Sequence, residues 1–299
     1  MEPIMYIFLA LVSILPFAIL ALYVYNSDQG KSSWGGTLGI IICFLVIMAF
    51  LYAILVESDS PRYLLKRIYI ALTAFLPAIM YIYYIIAIDE YKPEPFRVIL
   101  ITVFLGVVAA FSVTALGMPL FLSGINSEIT HNLYDSLTIG FFKIAIPSEL
   151  AKWLFLFVFL QLNKYYDEYL DGVVYSVCLA MGFASVLGIL FMSDFVSFSF
   201  YTFVRKGIVT ALILIPIHLM TGAIMGYFFA IARKGKKFIN YTTALVSSLL
   251  VDGVICTMLA IMGSNWGYYF ITGGVLLFIS LIVYHQIRHL LTLDLPSNS

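Results

Sequence analysis

The chain has 299 residues, 63% hydrophobic and 11% charged, with a formal net charge of zero and a mean hydropathy of +1.03. A water-soluble chain of this length carries roughly 25% charged residues, so these proportions exclude a soluble globular domain and make the bilayer the solvent. Zero net charge gives no general attraction for nucleic acid. Cys43, Cys178 and Cys256 all lie in apolar runs, with no CxxC-type metal spacing and no secreted disulfide framework.

A bilayer-spanning helix needs about 20 predominantly apolar residues, which predicts an all-α, polytopic transmembrane helical bundle of about nine spans. In chain order they are Ile4–Tyr25, Thr37–Val56, Ile68–Ile88, Val98–Phe121, Ser136–Leu162, Leu170–Met192, Gly207–Ala232, Ile239–Met262 and Trp266–Ile287. The first run has almost no positive charge ahead of it and exceeds a signal-peptide core in length, which reads as a retained span. The connectors are short and hold most of the charge; "SGINSEITHNLYD" is the longest polar one. There is no second soluble domain, low-complexity tract or visible internal repeat. The organisation expected is an N-terminal two-helix hairpin over 1–62, a transmembrane core over 63–290 and a polar tail over 291–299.

Loop lysines and arginines set orientation, the richer side being cytoplasmic. One side holds Lys31, Lys92, Arg97, Lys164, Arg233, Lys234, Lys236, Lys237 and Arg288; the other holds Arg62, Lys66, Arg67, Arg205 and Lys206. This predicts an integral protein of the bacterial inner (cell) membrane with its N-terminus outside and its C-terminus in the cytoplasm.

Ionisable groups inside lipid are costly and mark functional or interior positions. Glu149 and Lys152 fall in the fifth span, His218 in the seventh and Asp252 in the eighth. Glu149 and Lys152 are three apart, so a helix puts them on one face. One reading is a shared polar cavity; the plainer one is an ion pair that fastens helices, with His218 a hydrogen-bonded core histidine. Pro147 and Pro216 each precede one of these groups by two residues and free a carbonyl one turn back, so both helices are expected to open at that depth. Ala180, Ala184 and Gly188, like Gly222, Gly226 and Ala230, recur every four positions. Such spacing lets membrane helices pack backbone to backbone.

Peptide hydrolysis in lipid needs water, a base and a group to stabilise the oxyanion, roles open to a carboxylate and an imidazole. Glu149, His218 and Asp252 are also all able to ligate Zn²⁺, and three ligands plus water is a catalytic zinc pattern. HExxH, a rhomboid-like GxSG and a presenilin-like GxGD are all absent.

Five stretches in order resemble the PrsW-type intramembrane proteases, within the wider clan of CAAX-processing and bacteriocin-processing membrane proteases. They are "DEYKPEPFRVIL", "PSELAKWLFLF", "YYDEYLDGVVYSVCLAMGFA", "IPIHLMTGAIMGYFFAIA" and "LLVDGVICTML". The match covers about 68–262 and leaves the first two spans out. The resemblance implies a helical bundle that cleaves a membrane-embedded or juxtamembrane peptide, such as an anti-sigma factor. It implies Glu149 as base, His218 and Asp252 binding metal or oxyanion, and Lys152 and Asp171 in support. This chain departs from the pattern at Ser148 (for the first glutamate of a pair), at Leu187 and Gly188 (for Glu-Asn), at Thr210 (for arginine), at Asp252 (for histidine) and at Cys256 (for aspartate). The alternatives are a catalytically inactive homologue that holds a membrane protein partner and, more distantly, a proton-coupled transporter.

Overall fold

The computed structural model describes residues 63–89, 92–125, 132–193, 206–207, 209–233, 235–261 and 266–294. In lipid each backbone N–H and C=O must be satisfied within the bundle, so long apolar runs fold as helices. Seven do so among the described residues: α1 (Tyr63–Ile88), α2 (Phe96–Ile125), α3 (Leu133–Leu162), α4 (Asp171–Ser193), α5 (Thr210–Ala232), α6 (Lys237–Ile261) and α7 (Trp266–Asp294). No strand occurs among them. They correspond to the third through ninth predicted spans; Ile4–Tyr25 and Thr37–Val56 lie outside the described residues.

α7 continues past the predicted end at Ile287 and into the segment read as a polar tail. The reason is local: the Asp294 carboxylate accepts the backbone amides of Tyr169 (2.8 Å) and Leu170 (2.9 Å). That contact ties the last turn of α7 to the α3–α4 connection.

α4 is the central element. Its side chains are buried without a break from Asp171 to Gly188, the pattern of a helix that is apolar all round. α1, α2 and α5 pack directly on it, and α6 packs on α5 and α3. The predicted small-residue faces are these seams. Gly222 lies on Ala180, and Gly226 lies on the backbone of Gly172 and Val173. A side chain at Gly226 would overlap the Gly172 carbonyl, so glycine is what sets the α4–α5 spacing here. Outward-facing Ile79, Phe104, Phe142, Leu250 and Phe278 are exposed, the surface a lipid-immersed bundle needs.

Candidate active site

α3 and α5 share an irregularity. Each runs through wide π-helical turns near its start, over Thr138–Ala145 in α3 (after an α-helical turn at Leu133–Leu137) and over Thr210–Leu214 in α5. Each then becomes α-helical at an Ile-Pro pair, Ile146–Pro147 and Ile215–Pro216. Proline has no N–H to give the preceding turn, and π turns are one way a helix absorbs that loss. Glu149 and His218 stand at the same offset after the two transitions.

The π turns of α3 lie on α6 where Gly140 meets Thr257 and Gly253 meets the Phe141 ring. This close approach sets Asp252 beside Ser148. The Ser148 hydroxyl lies 3.0 Å from Asp252 Oδ2 and 2.7 Å from the Ile144 carbonyl. Cys256 Sγ lies 3.4 Å from Asp252 Oδ1. The Trp153 indole donates to the Tyr241 carbonyl (2.9 Å), a second tie between α3 and α6.

Lys152 is the hub. Its ammonium donates to Glu149 Oε1 (2.6 Å) and Thr221 Oγ1 (3.0 Å), and lies 3.1 Å from His218 Nδ1. The Phe183 ring of α4 closes one wall, 5.6 Å from the Lys152 ammonium and 5.5 Å from the His218 ring. Glu149, Lys152, His218 and Asp252 are each at most 2% exposed. Ligand atoms of Glu149, His218 and Asp252 lie within 4.8 Å of one another, and Glu149 Oε2 is buried with no hydrogen-bond partner.

Four of the five residues singled out from sequence thus meet in one buried group. The fifth does not. Asp171 opens α4 at the end of the bundle, where its Oδ2 accepts the amides of Asp167 (2.9 Å) and Glu168 (2.7 Å) and Asp89 and Glu94 lie close by. Sequence reading missed Thr221, Phe183 and the Ser148–Asp252 contact. Thr221 had a signal, one helical turn after His218; the other two depend on helix packing.

The chemistry of the donor set suits a cation. Two carboxylates face one lysine in a buried setting, so the second carboxylate must be balanced by a proton or a cation. One imidazole and two carboxylates are also a ligand set compatible with Zn²⁺.

The model of the PrsW family intramembrane metalloprotease matches residues 94–284, more than half of the chain. Protease PrsW of Bacillus subtilis (strain 168) is 28% identical over 196 residues, covering 64% of this chain and 83% of that protein. Protease PrsW of Geobacillus kaustophilus (strain HTA426) is 26% identical over 196 residues, covering 64% and 80%. Protease PrsW of Oceanobacillus iheyensis is 34% identical over a shorter 125 residues, covering 40% and 54%. No solved structure matches the chain.

Proposed function

The chain belongs to the PrsW family of intramembrane metalloproteases, and from that premise we propose that it is an active endopeptidase. Its substrate is a membrane-embedded or juxtamembrane peptide of a transmembrane protein, of the anti-sigma-factor kind. Its place is the bacterial cell membrane, with the C-terminus cytoplasmic, a reading supported by the basic residues gathered at that end.

The observation that carries the reading is the contact between Ser148 and Asp252 at 3.0 Å. Ser148 stands where the family pattern has a glutamate, and Asp252 where it has a histidine. The carboxylate lost from α3 is returned from α6 at the same spot. A second pair of departures also adjoins, though without returning the lost groups. Gly188 and Thr210 replace asparagine and arginine, and they touch: a methyl group on Gly188 would lie 2.9 Å from Thr210 Cγ2. Departures that fall in contacting pairs fit compensation. A decaying site loses its positions independently.

Lys152 engages Glu149 Oε1 and leaves Oε2 free to act as base. Glu149 takes a proton from water as the water oxygen adds to the peptide carbonyl carbon. The developing oxyanion is met by the His218 imidazole and the Lys152 ammonium. Glu149 then returns the proton to the leaving nitrogen as the C–N bond breaks. Electrostatic groups of this kind are strong because water is excluded. Glu149, His218 and Asp252 could instead hold a Zn²⁺ ion, which when bound would polarise water or the scissile carbonyl, Glu149 Oε2 then serving as a ligand in place of the free base. Asp171 takes no part in these steps and acts as an anchor of the α3–α4 turn. The group is closed off, so peptide and water reach it only when the enclosing helices part.

The test is turnover. The purified chain, reconstituted in vesicles with a model transmembrane substrate and supplied with Zn²⁺, should release a cleaved fragment. A substrate that crosslinks to the chain but yields no fragment at any metal concentration overturns the enzyme reading in favour of the partner-holding one. Dissipation of an ion gradient in sealed vesicles without cleavage would favour the transporter.

A further inference from the structure

A second group of ionisable residues lies at the end of the bundle where α1, α3, α5 and α7 finish and α2 and α4 start. Asp89 follows α1, Glu94 precedes α2, Asp167 and Glu168 lie in the α3–α4 turn, Asp171 opens α4 and Asp294 ends α7. Some of their oxygens are accounted for. Asp294 accepts two amides, Asp171 Oδ2 accepts two more, and Asp167 pairs with Lys92. Arg233 spends its guanidinium on the carbonyls of Glu168 (2.6 Å) and Asp167 (2.8 Å) and on the Tyr166 ring, and Lys164 lies over the Tyr165 ring. None of these cations bonds the buried acids.

What remains is unusual for a protein interior. Both oxygens of Asp89, Oε2 of Glu94 and Oδ1 of Asp171 are buried with no hydrogen bond of normal geometry, the neighbouring groups being the Glu94 amide beside Asp89 and the Tyr175 hydroxyl and Asp171 carboxyl beside Glu94. Asp89 is 3% exposed and Asp171 0%. Unpaired buried carboxylates are costly, so such groups are normally paired or coordinate a metal. Their placement fits the second case. One oxygen each of Asp89, Glu168 and Asp171 lie within 4.8 Å of one another, as do oxygens of Glu94, Asp167 and Asp171. Oxygens facing each other across a bound Ca²⁺ are about 4.8 Å apart, given ligand distances of about 2.4 Å. The donors are all oxygen, with no histidine or cysteine, which selects hard cations over zinc.

We propose that Asp89, Glu168 and Asp171 form a binding site for a hard divalent cation, Mg²⁺ or Ca²⁺, distinct from the Glu149–His218–Asp252 group. Glu94 and Asp167 border it through their shared neighbour Asp171. The ion clamps the end of α1 to the α3–α4 turn and the start of α4, and so stabilises the helices that carry the catalytic group without entering its chemistry.

The experiment uses the full chain in detergent, stripped with EDTA. MgCl₂ and CaCl₂ are titrated separately to about 10 mM, above the weakest protein sites, by calorimetry and by thermal melting. The expected result is saturable binding of at least one ion with a raised Tm, because a ligand of the folded state stabilises it. Asp89→Asn and Glu168→Gln should each weaken binding about tenfold or more, since each removes a charged ligand. Glu168 uses its backbone for the hydrogen bonds above, so Glu168→Gln reports even where Asp89→Asn fails to fold. Binding should persist in Glu149→Gln, which separates this site from the catalytic one. No saturable binding of either ion, or undiminished binding in Glu168→Gln, overturns the proposal and leaves the acids neutralised by protons.

Discussion

Ser148 of α3 and Asp252 of α6 are hydrogen-bonded at 3.0 Å, 104 residues apart in sequence. Both positions depart from the family pattern, and the contact makes their effects interdependent. Groups in one hydrogen-bonded network show non-additive substitution energies. Ser148→Glu alone crowds a third carboxylate against Glu149 and Asp252. Asp252→His alone removes the carboxylate that the Ser148 hydroxyl meets and returns none on α3. Each single change should lower peptide release about tenfold or more, and the double change should recover most of it. Strictly multiplicative losses in the double variant would show that the two positions act separately.

Lys152 compensates the buried Glu149 carboxylate, and both are at most 1% exposed. Breaking a buried pair by removing one partner costs about 3–5 kcal/mol because it strands a charge. Lys152→Met should therefore lower stability in denaturant unfolding from micelles, and adding Glu149→Gln should restore much of the loss. A Lys152→Met variant as stable as wild type would contradict the ion-pair role.

The α4–α5 seam is set by backbone contact. A methyl group at Gly226 would lie 2.7 Å from Val173 Cα, in a place already filled by the Gly172 carbonyl. Overpacking of this kind costs about 1–3 kcal/mol, so Gly226→Ala should lower Tm by several degrees. Gly274→Ala in α7 meets nothing within 4 Å and should leave Tm unchanged or slightly higher. Equal melting of the two variants would mean that the seam is not tight.

Burial, and then the charges of Glu168 and Glu94, push the Asp89 carboxyl from 3.8 up to about 7. Burial also raises Glu94 and Glu168, with Lys92 the opposing cation. A raised acid holds a proton in the folded chain that the unfolded chain has released. Stability therefore falls as pH rises through the window from about 4 to about 7. In EDTA, Tm should be higher at about pH 5 than at about pH 8, and Asp89→Asn should flatten that slope. A Tm that climbs across the same interval would contradict the unpaired state of Asp89.

The seven spans among the described residues were legible because run length against bilayer thickness is a one-dimensional rule. Glu149, Lys152, His218 and Asp252 were legible because a charge within an apolar run stands out at once. Asp171 opens the predicted span Leu170–Met192 and opens α4 in the structure; its supporting role came from the resemblance alone, and a motif gives residue identity and not distance from the site. Gly172 packs against Gly226, two helical turns beyond His218 on α5, which puts Asp171 at the end of the bundle. The pairing of Ser148 with Asp252 left no local trace, since it depends on how the π turns of α3 seat on Gly253 of α6. The same holds for Gly188 and Thr210, which read from sequence as two separate losses and prove to be one contact.

In the proposed reaction Glu149 is the base, and its replacement by glutamine keeps size and hydrogen bonding while removing that base. Release of a labelled fragment from a transmembrane substrate in proteoliposomes should fall by about 10²-fold or more in Glu149→Gln, a loss in the range general-base catalysis supplies, while helical content and Tm persist. Equal fragment from the variant and the wild type would contradict the catalytic role of the buried group.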